Sequence, residues 1–284
     1  MTKTVNIDAG HGGKDTGARA FGLNEKDWTL KMSLYQYKRM KVLGVDVALT
    51  RTGDTTLEPF QRVARIKNQY DLCLSNHFNA FNGEARGVEG ISSIHSRSRL
   101  AADLVDRVVK KTGLPKRRVF QREMKKGVDY YYMHRLTGRT ETIILEYGFI
   151  DNRQDAEFYK EDANFFAAAE AVIEGICVAA GHKYRRPGSV SNAQTNPERD
   201  KNEKAAGKPL FKNKRLTSHY PGKLRFYKKP SWKDADVFGY LTMGQHFPTV
   251  VKKLKVGRSE QYQVGNSKGE TYYITASPVY VHIS

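Results

Sequence analysis

Four residues stand where they could do hydrolytic chemistry: His11, Glu25, His77 and Glu146. His11 lies in Ile7-Asp8-Ala9-Gly10-His11-Gly12-Gly13, a short apolar run entering a glycine-rich turn. Glycines at 10, 12 and 13 clear bulk from around the imidazole and permit positive φ. His77 follows Leu72-Cys73-Leu74-Ser75-Asn76, and Glu146 follows Ile143-Ile144-Leu145, so each closes a β-like run. Glu25 opens a helix-like segment. Hydrolytic zinc sites typically take three ligands from His, Glu and Asp and leave a position for water. A carboxylate beside that position can take the water's proton and hand it to a leaving amine. His11, Glu25 and His77 offer the ligands and Glu146 the base. Spacing alone leaves alternatives open, because the ligands are scattered and not packed as in His-Glu-x-x-His. Hydrogen-bonded structural histidines, and a first-turn carboxylate favoured by the helix dipole at Glu25, fit the same pattern. Glu146 fits a structural role least, since an unpaired buried carboxylate is costly.

The elements that must position these side chains alternate along residues 1–181. Strands are expected at Thr4–Asp8, Val45–Thr50, Asp71–Asn76, Gly87–His95 and Thr142–Glu146. Helices are expected from an Asn24 cap to about Lys41, over Leu57–Gln69, over Arg99–Thr112 and over Asp155–Ala180. That order predicts an α/β fold, a mainly parallel twisted sheet flanked by helices. His11, His77 and Glu146 each follow a different strand. In such sheets, sites gather at the C-terminal strand ends.

At 284 residues the chain is long enough for two domains. The expected division is a catalytic domain at 1–182, a polar linker at 183–208 and a basic all-β domain at 209–284. The linker segment is rich in Pro, Gly, Ser, Asn, Gln, Lys and Glu and cannot bury a core. Beyond it, short runs at Leu224–Tyr227, Val237–Leu241, Thr249–Leu254, Tyr262–Val264, Tyr272–Thr275 and Val279–His282 suggest a small barrel. Of the net charge of +18, residues 209–284 hold +9, which suggests an anionic polymer as partner. Tyr227, Trp232, Tyr240, Tyr262, Tyr272 and Tyr273 are candidates for its binding face, with several needed for the core.

The segments resemble the zinc-dependent N-acetylmuramoyl-L-alanine amidases of the amidase-3 type, found in bacterial autolysins, sporulation amidases and phage endolysins. The resemblance rests on Ile7 to Ala18, Gly22-Leu23-Asn24-Glu25-Lys26, Leu49-Thr50-Arg51-Thr52, Arg62, Ser75-Asn76-His77-Phe78-Asn79-Ala80 and Leu145-Glu146-Tyr147-Gly148-Phe149-Ile150-Asp151-Asn152. They occur in family order across about residues 3–181. The resemblance implies Zn2+ held by His11, Glu25 and His77, with Glu146 as the catalytic carboxylate. It also implies cleavage of the amide between N-acetylmuramic acid and L-alanine of the stem peptide. Two positions depart from the family pattern: Ala9 where proline is usual, and Asn76 where an apolar residue is common. Residues 209–284 look, more loosely, like a bacterial SH3-type (SH3b-like) wall-binding domain.

The expected function is therefore a modular peptidoglycan amidase, of the phage-endolysin kind. Its partners would be peptidoglycan and anionic wall polymers, with neither nucleic acid nor membrane. The alternatives are another zinc-dependent wall peptidase, or a non-catalytic wall- or nucleic-acid-binding protein. No run approaches the roughly 18 apolar residues of a membrane span. Met1-Thr2-Lys3-Thr4 leads straight into a strand without a signal-like apolar region. The expectation is cytoplasmic synthesis without a signal peptide, followed by release to the wall. Cys73 and Cys177 are expected as buried free thiols. Of the remaining six histidines, His134 is the one placed to contact substrate. The run Lys116-Arg117-Arg118, with Arg122, Lys125 and Lys126, is expected as a solvated loop, with anionic wall polymer as its alternative partner.

Overall fold

The structure, a computed structural model, describes residues 2–187, 211, 214–218, 220, 223–242, 244–257, 259–277 and 280–283. The chain separates into two compact units, Met1–Arg185 and Arg186–Ser284. Residues 188–208 of the expected linker, and Val279 of the last expected strand, lie outside the described residues.

The first unit is built on six strands: β1 (Val5–Ala9), β2 (Val47–Leu49), β3 (Leu72–Asn79), β4 (Val88–Ser92), β5 (Lys116–Phe120) and β6 (Glu141–Phe149). Their order is β2-β1-β3-β6-β4-β5. Every pair is parallel except β6 with β4, which is antiparallel. The sheet is thus mixed but mainly parallel. Six helices accompany it: α1 (Glu25–Val42), α2 (Pro59–Ala64), α3 (Arg99–Thr112), α4 (Tyr132–Arg135), α5 (Arg153–Lys160) and α6 (Asp162–Ala179). Strand alternation sorts the side chains to two faces. On one face Asn76 meets Ser33 and Gln36 of α1, and Gly90 lies under Ala101 and Val105 of α3. On the other, Asp8 meets Arg62 of α2, and Cys73, Ile91 and Ile144 pack with Ile66 and Met133. Both cysteines are buried and free.

Four local expectations need correction. The helix expected over Leu57–Gln69 runs only from Pro59 to Ala64. Proline disfavours helix in the residue before it, and Asn68 adopts a left-handed φ of 61° that closes the segment. The helix expected over Asp155–Ala180 is two, broken at an extended Glu161 (φ −76°, ψ 113°). Asn164 Nδ2 takes up the Phe158 carbonyl left over at the break, and Phe165 beyond it stacks on Phe78. Lys116-Arg117-Arg118 is no loop but part of edge strand β5. Asn24 does stand at the start of α1, yet its side chain donates to Asp27 and caps nothing.

The second unit is all-β. Strands β7 (Leu216–Ser218), β8 (Leu224–Tyr227), β9 (Val237–Leu241), β10 (His246–Phe247), β11 (Thr249–Val256), β12 (Ser259–Gly265), β13 (Thr271–Thr275) and β14 (Val281–Ile283) follow in sequence. They form a three-stranded sheet, β10-β7-β14, and a five-stranded sheet, β9-β8-β13-β12-β11, antiparallel throughout. Leu216, Leu224, Val264, Tyr272 and Ile274 are among its core residues. Tyr227 and Tyr272 are buried, whereas Trp232 and Tyr240 are exposed. No helix among the described residues is long and apolar enough to cross a membrane.

Candidate metal centre and active site

The site forms where β1, β3 and β6 end. His11 follows β1 in a turn that puts the histidine itself at φ 59°, a costly conformation for a residue with a side chain. Two buried arginines hold the turn by its carbonyls. Arg51 donates to the carbonyls of Ala9 (3.0 Å) and Gly10 (2.9 Å). Arg62 donates to those of Ala9 and His11, both at 2.7 Å, and forms an ion pair with Asp8 at 2.5 Å. The guanidinium outweighs the burial of Asp8 and, with Thr50 and Ser75, holds its carboxyl below the usual range. Glycine is obligatory beside these side chains. A Cβ on Gly10 would lie 2.4 Å from the His77 ring, and one on Gly17 would lie 2.5 Å from Glu25 Oε2.

Glu25, at the first position of α1, reaches between the two imidazoles. Its Oε2 lies 3.0 Å from His11 Nε2 and its Oε1 2.9 Å from His77 Nδ1. The amides of Ala18 and Phe78 also donate to it. Burial works against its charge, but the two imidazoles prevail and hold the carboxyl well below its ordinary value. Burial likewise opposes protonation of His11, and the Glu25 and Asp15 carboxylates outweigh it, so His11 is raised. Asp15 Oδ2 takes His11 Nδ1 at 2.9 Å, which fixes the ring and turns Nε2 inward, as ligating histidines require. One ligand atom from each of His11, Glu25 and His77 lies within 4.8 Å of the others, an arrangement that could hold a metal ion.

Glu146 pairs in register with His77 on β3, so both side chains rise from one face. It is half-buried as a residue, yet its Oε2 is fully enclosed and has no hydrogen-bond partner. Burial, then the nearby Glu25 and Glu89 carboxylates, push Glu146 well above the usual carboxylate range. An orphaned carboxylate oxygen beside a two-imidazole, one-carboxylate donor set fits a divalent cation with an attacking water. The four residues singled out from the sequence are thus together in space.

Other expectations fare differently. His134 is buried, with its Nε2 unpartnered, and its ring is directed to the Ile91 carbonyl. Burial lowers it to about 4. It lines a cleft of about 440 Å³ with Ser93, Arg97, Arg139 and Thr142, near the start of β6, whereas Glu146 lies toward its end. The two departures from the family pattern find partners. The Ala9 amide, which proline lacks, donates to Thr50 Oγ1. Asn76 joins Ser33, Gln36 and the Tyr147 hydroxyl in a buried network. Glu89 was not legible as a site residue. It is wholly buried on β4 opposite Glu146 and takes Arg117, Arg118 and Asn79. A charge inside the run Val88-Glu89-Gly90-Ile91 is the sequence signal that could have marked it.

The family model described as N-acetylmuramoyl-L-alanine amidase matches residues 5–178. N-acetylmuramoyl-L-alanine amidase BlyA of Bacillus subtilis is 62% identical over 61 residues, 22% of this chain and 17% of BlyA. The endolysin of Bacillus phage SPP1 is 28% identical over 297 aligned residues, 100% of this chain and 99% of that one. Among solved structures, the catalytic domain of CwlV, an N-acetylmuramoyl-L-alanine amidase from Bacillus (Paenibacillus) polymyxa, is similar with a TM-score of 0.58 at 26% identity. That match covers 64% of this chain and 99% of the CwlV domain.

Proposed function

Because the chain belongs to the N-acetylmuramoyl-L-alanine amidase family, we propose that it hydrolyses the amide joining the lactyl carbonyl of N-acetylmuramic acid to L-alanine of the stem peptide. The observation that carries this reading is the unpartnered Glu146 carboxylate beside the His11, Glu25 and His77 donors. These three would hold zinc, which supplies Lewis acidity toward a carbonyl and a water. Glu146 takes a proton from the attacking water as the water oxygen bonds to the lactyl carbon. The C–N bond then breaks, and Glu146 returns the proton to the alanine nitrogen. Asp15 keeps the His11 ring oriented throughout.

The second unit is read as a wall-binding, SH3b-like module joined through a polar linker that follows Arg185. On β9, Phe238 and Tyr240 alternate outward and are exposed. Lys228 sits over Phe238 at 4.7 Å and Lys223 over Tyr240 at 6.0 Å. Aromatic faces suit sugar rings, and ammonium groups suit anionic wall polymers. Tethering such a binder to the catalytic unit raises the effective substrate concentration. Similarity to the SPP1 endolysin along the whole chain supports an endolysin role, acting on the wall.

The test is digestion of purified Gram-positive peptidoglycan, with and without chelator, followed by mass spectrometry. Stem peptides beginning with L-alanine, lost on chelation and restored by zinc, are expected. Cuts within the peptide would favour the peptidase alternative. Intact wall with retained binding would favour the non-catalytic one.

A further inference from the structure

The register of the sheet lines up four charged or ligating positions across neighbouring strands. His77 on β3 pairs with Glu146 on β6, Glu146 with Glu89 on β4, and Glu89 with Arg118 on β5. In-register neighbours share a face, and the Arg118 Nε to Glu89 Oε1 bond of 2.7 Å confirms it for the outer pair. A bulge between Val88 and Glu89 lets Arg117 reach Glu89 as well. The buried carboxylate thus balances one of two guanidinium charges, which leaves one positive charge at this edge. Arg118 is held from below by Glu89 and from the side by Phe120, whose ring centroid lies 4.0 Å away. Its side chain is 52% exposed, and among the described residues its two terminal nitrogens have no hydrogen-bond partner. This is a pre-set, outward-facing fork suited to a carboxylate.

We propose that Arg118 is a substrate-binding residue that receives a free carboxylate of the stem peptide, beyond the alanine whose amide is cut. The proposal rests on the amidase reading of the same site. Strands about 4.8 Å apart place the Arg118 backbone about 10 Å from that of Glu146. An extended peptide advances about 3.3 Å per residue, so three residues beyond alanine span that distance, and the second or third of them comes within reach of the Arg118 side chain. The muramoyl side offers no match, since its lactyl carboxyl is consumed in the amide. Amidation of the peptide carboxylate removes the negative charge that the fork recognises, so the edge acts as a selector between free and amidated stem peptides.

The test measures kcat/KM on two soluble muropeptides, identical except that the carboxylates beyond alanine are free in one and amidated in the other. Wild type is expected to favour the free form about tenfold, the worth of a charge-assisted pair at a half-exposed position. Arg118→Met should bring that ratio close to one by losing rate on the free form. Arg117 still balances Glu89 in this variant. Arg118→Lys, which keeps the charge and lacks the fork, should give an intermediate ratio of about threefold, and it decides the matter should Arg118→Met fail to fold. Equal rates of the wild type on both substrates, or an unchanged ratio in the folded variants, would overturn the proposal. So would an Arg118→Met defect seen only on walls that carry anionic polymer and not on soluble fragments. No turnover by wild type on either substrate would instead remove the amidase reading itself.

Discussion

Replacing Arg62 with Met should unsettle the first unit more than any surface change, because its guanidinium does three things at once. It is 3% exposed, pairs with Asp8 at 2.5 Å and donates to the carbonyls of Ala9 and His11 at 2.7 Å. Removing it strands a buried carboxylate that keeps only the Thr50 and Ser75 hydroxyls, each at 2.7 Å. Breaking a buried pair from one side costs about 3–5 kcal/mol. For a unit of this size 1 kcal/mol moves the melting point by about 2–4 °C, so Arg62→Met should melt about 10 °C lower. Asp8→Asn added to it removes the stranded charge. The double variant should therefore recover about 2 kcal/mol relative to the sum of the singles. The assay is thermal unfolding of the full chain in chelator, followed at 222 nm, where the α-helices report the first unit alone among the described residues. Catalysis should fall about a hundredfold in the folded fraction, as the His11 turn loses a carbonyl clamp. A melting point within about 2 °C of wild type, or strictly additive single effects, would refute the claim that this pair fixes the turn.

Glu146→Gln should lower kcat about 10²- to 10⁴-fold while wall pull-down stays at the wild-type value and melting does not fall; comparable turnover would exclude Glu146 as the base. Asp15→Asn should weaken zinc binding about tenfold, read by competition with a chromophoric chelator, because His11 Nδ1 then loses its carboxylate. The Asp8 carboxyl, held below its ordinary value of 3.8, contributes stability that is present above that pH and lost as pH falls through its lower folded value. Acid melting of wild type should therefore steepen below about pH 4, and Asp8→Asn should flatten that limb; parallel curves would refute it.

His11, His77 and Glu146 could be singled out from the chain because each closes an apolar run where strand gives way to turn, and Glu25 because it opens a helix; their assignment as donors and base rested on the family resemblance. The glycines around His11 are explained by the closeness of Gly10 to His77, which no local pattern contains. Arg51 and Arg62 were visible only as parts of a motif. Their work is on carbonyls, and backbone partners leave no trace in residue types. Glu89 stayed hidden, and Arg118 stood out only as part of a basic run, for a different reason. Their meaning depends on β4 running antiparallel to β6 and on the bulge that brings Arg117 to the same carboxylate. Register between distant strands is a tertiary property. The break at Glu161 was likewise masked by an alanine-rich run with strong helix propensity, overridden by the packing of Phe165 against Phe78.

The most direct test of the central claim is wall digestion in ¹⁸O-labelled water, with the fragments weighed by mass spectrometry. One ¹⁸O atom should enter the lactyl carboxylate of N-acetylmuramic acid, and the released peptide should carry an unlabelled free L-alanine amine. Label in a peptide carboxyl, or in a sugar hydroxyl, would contradict it.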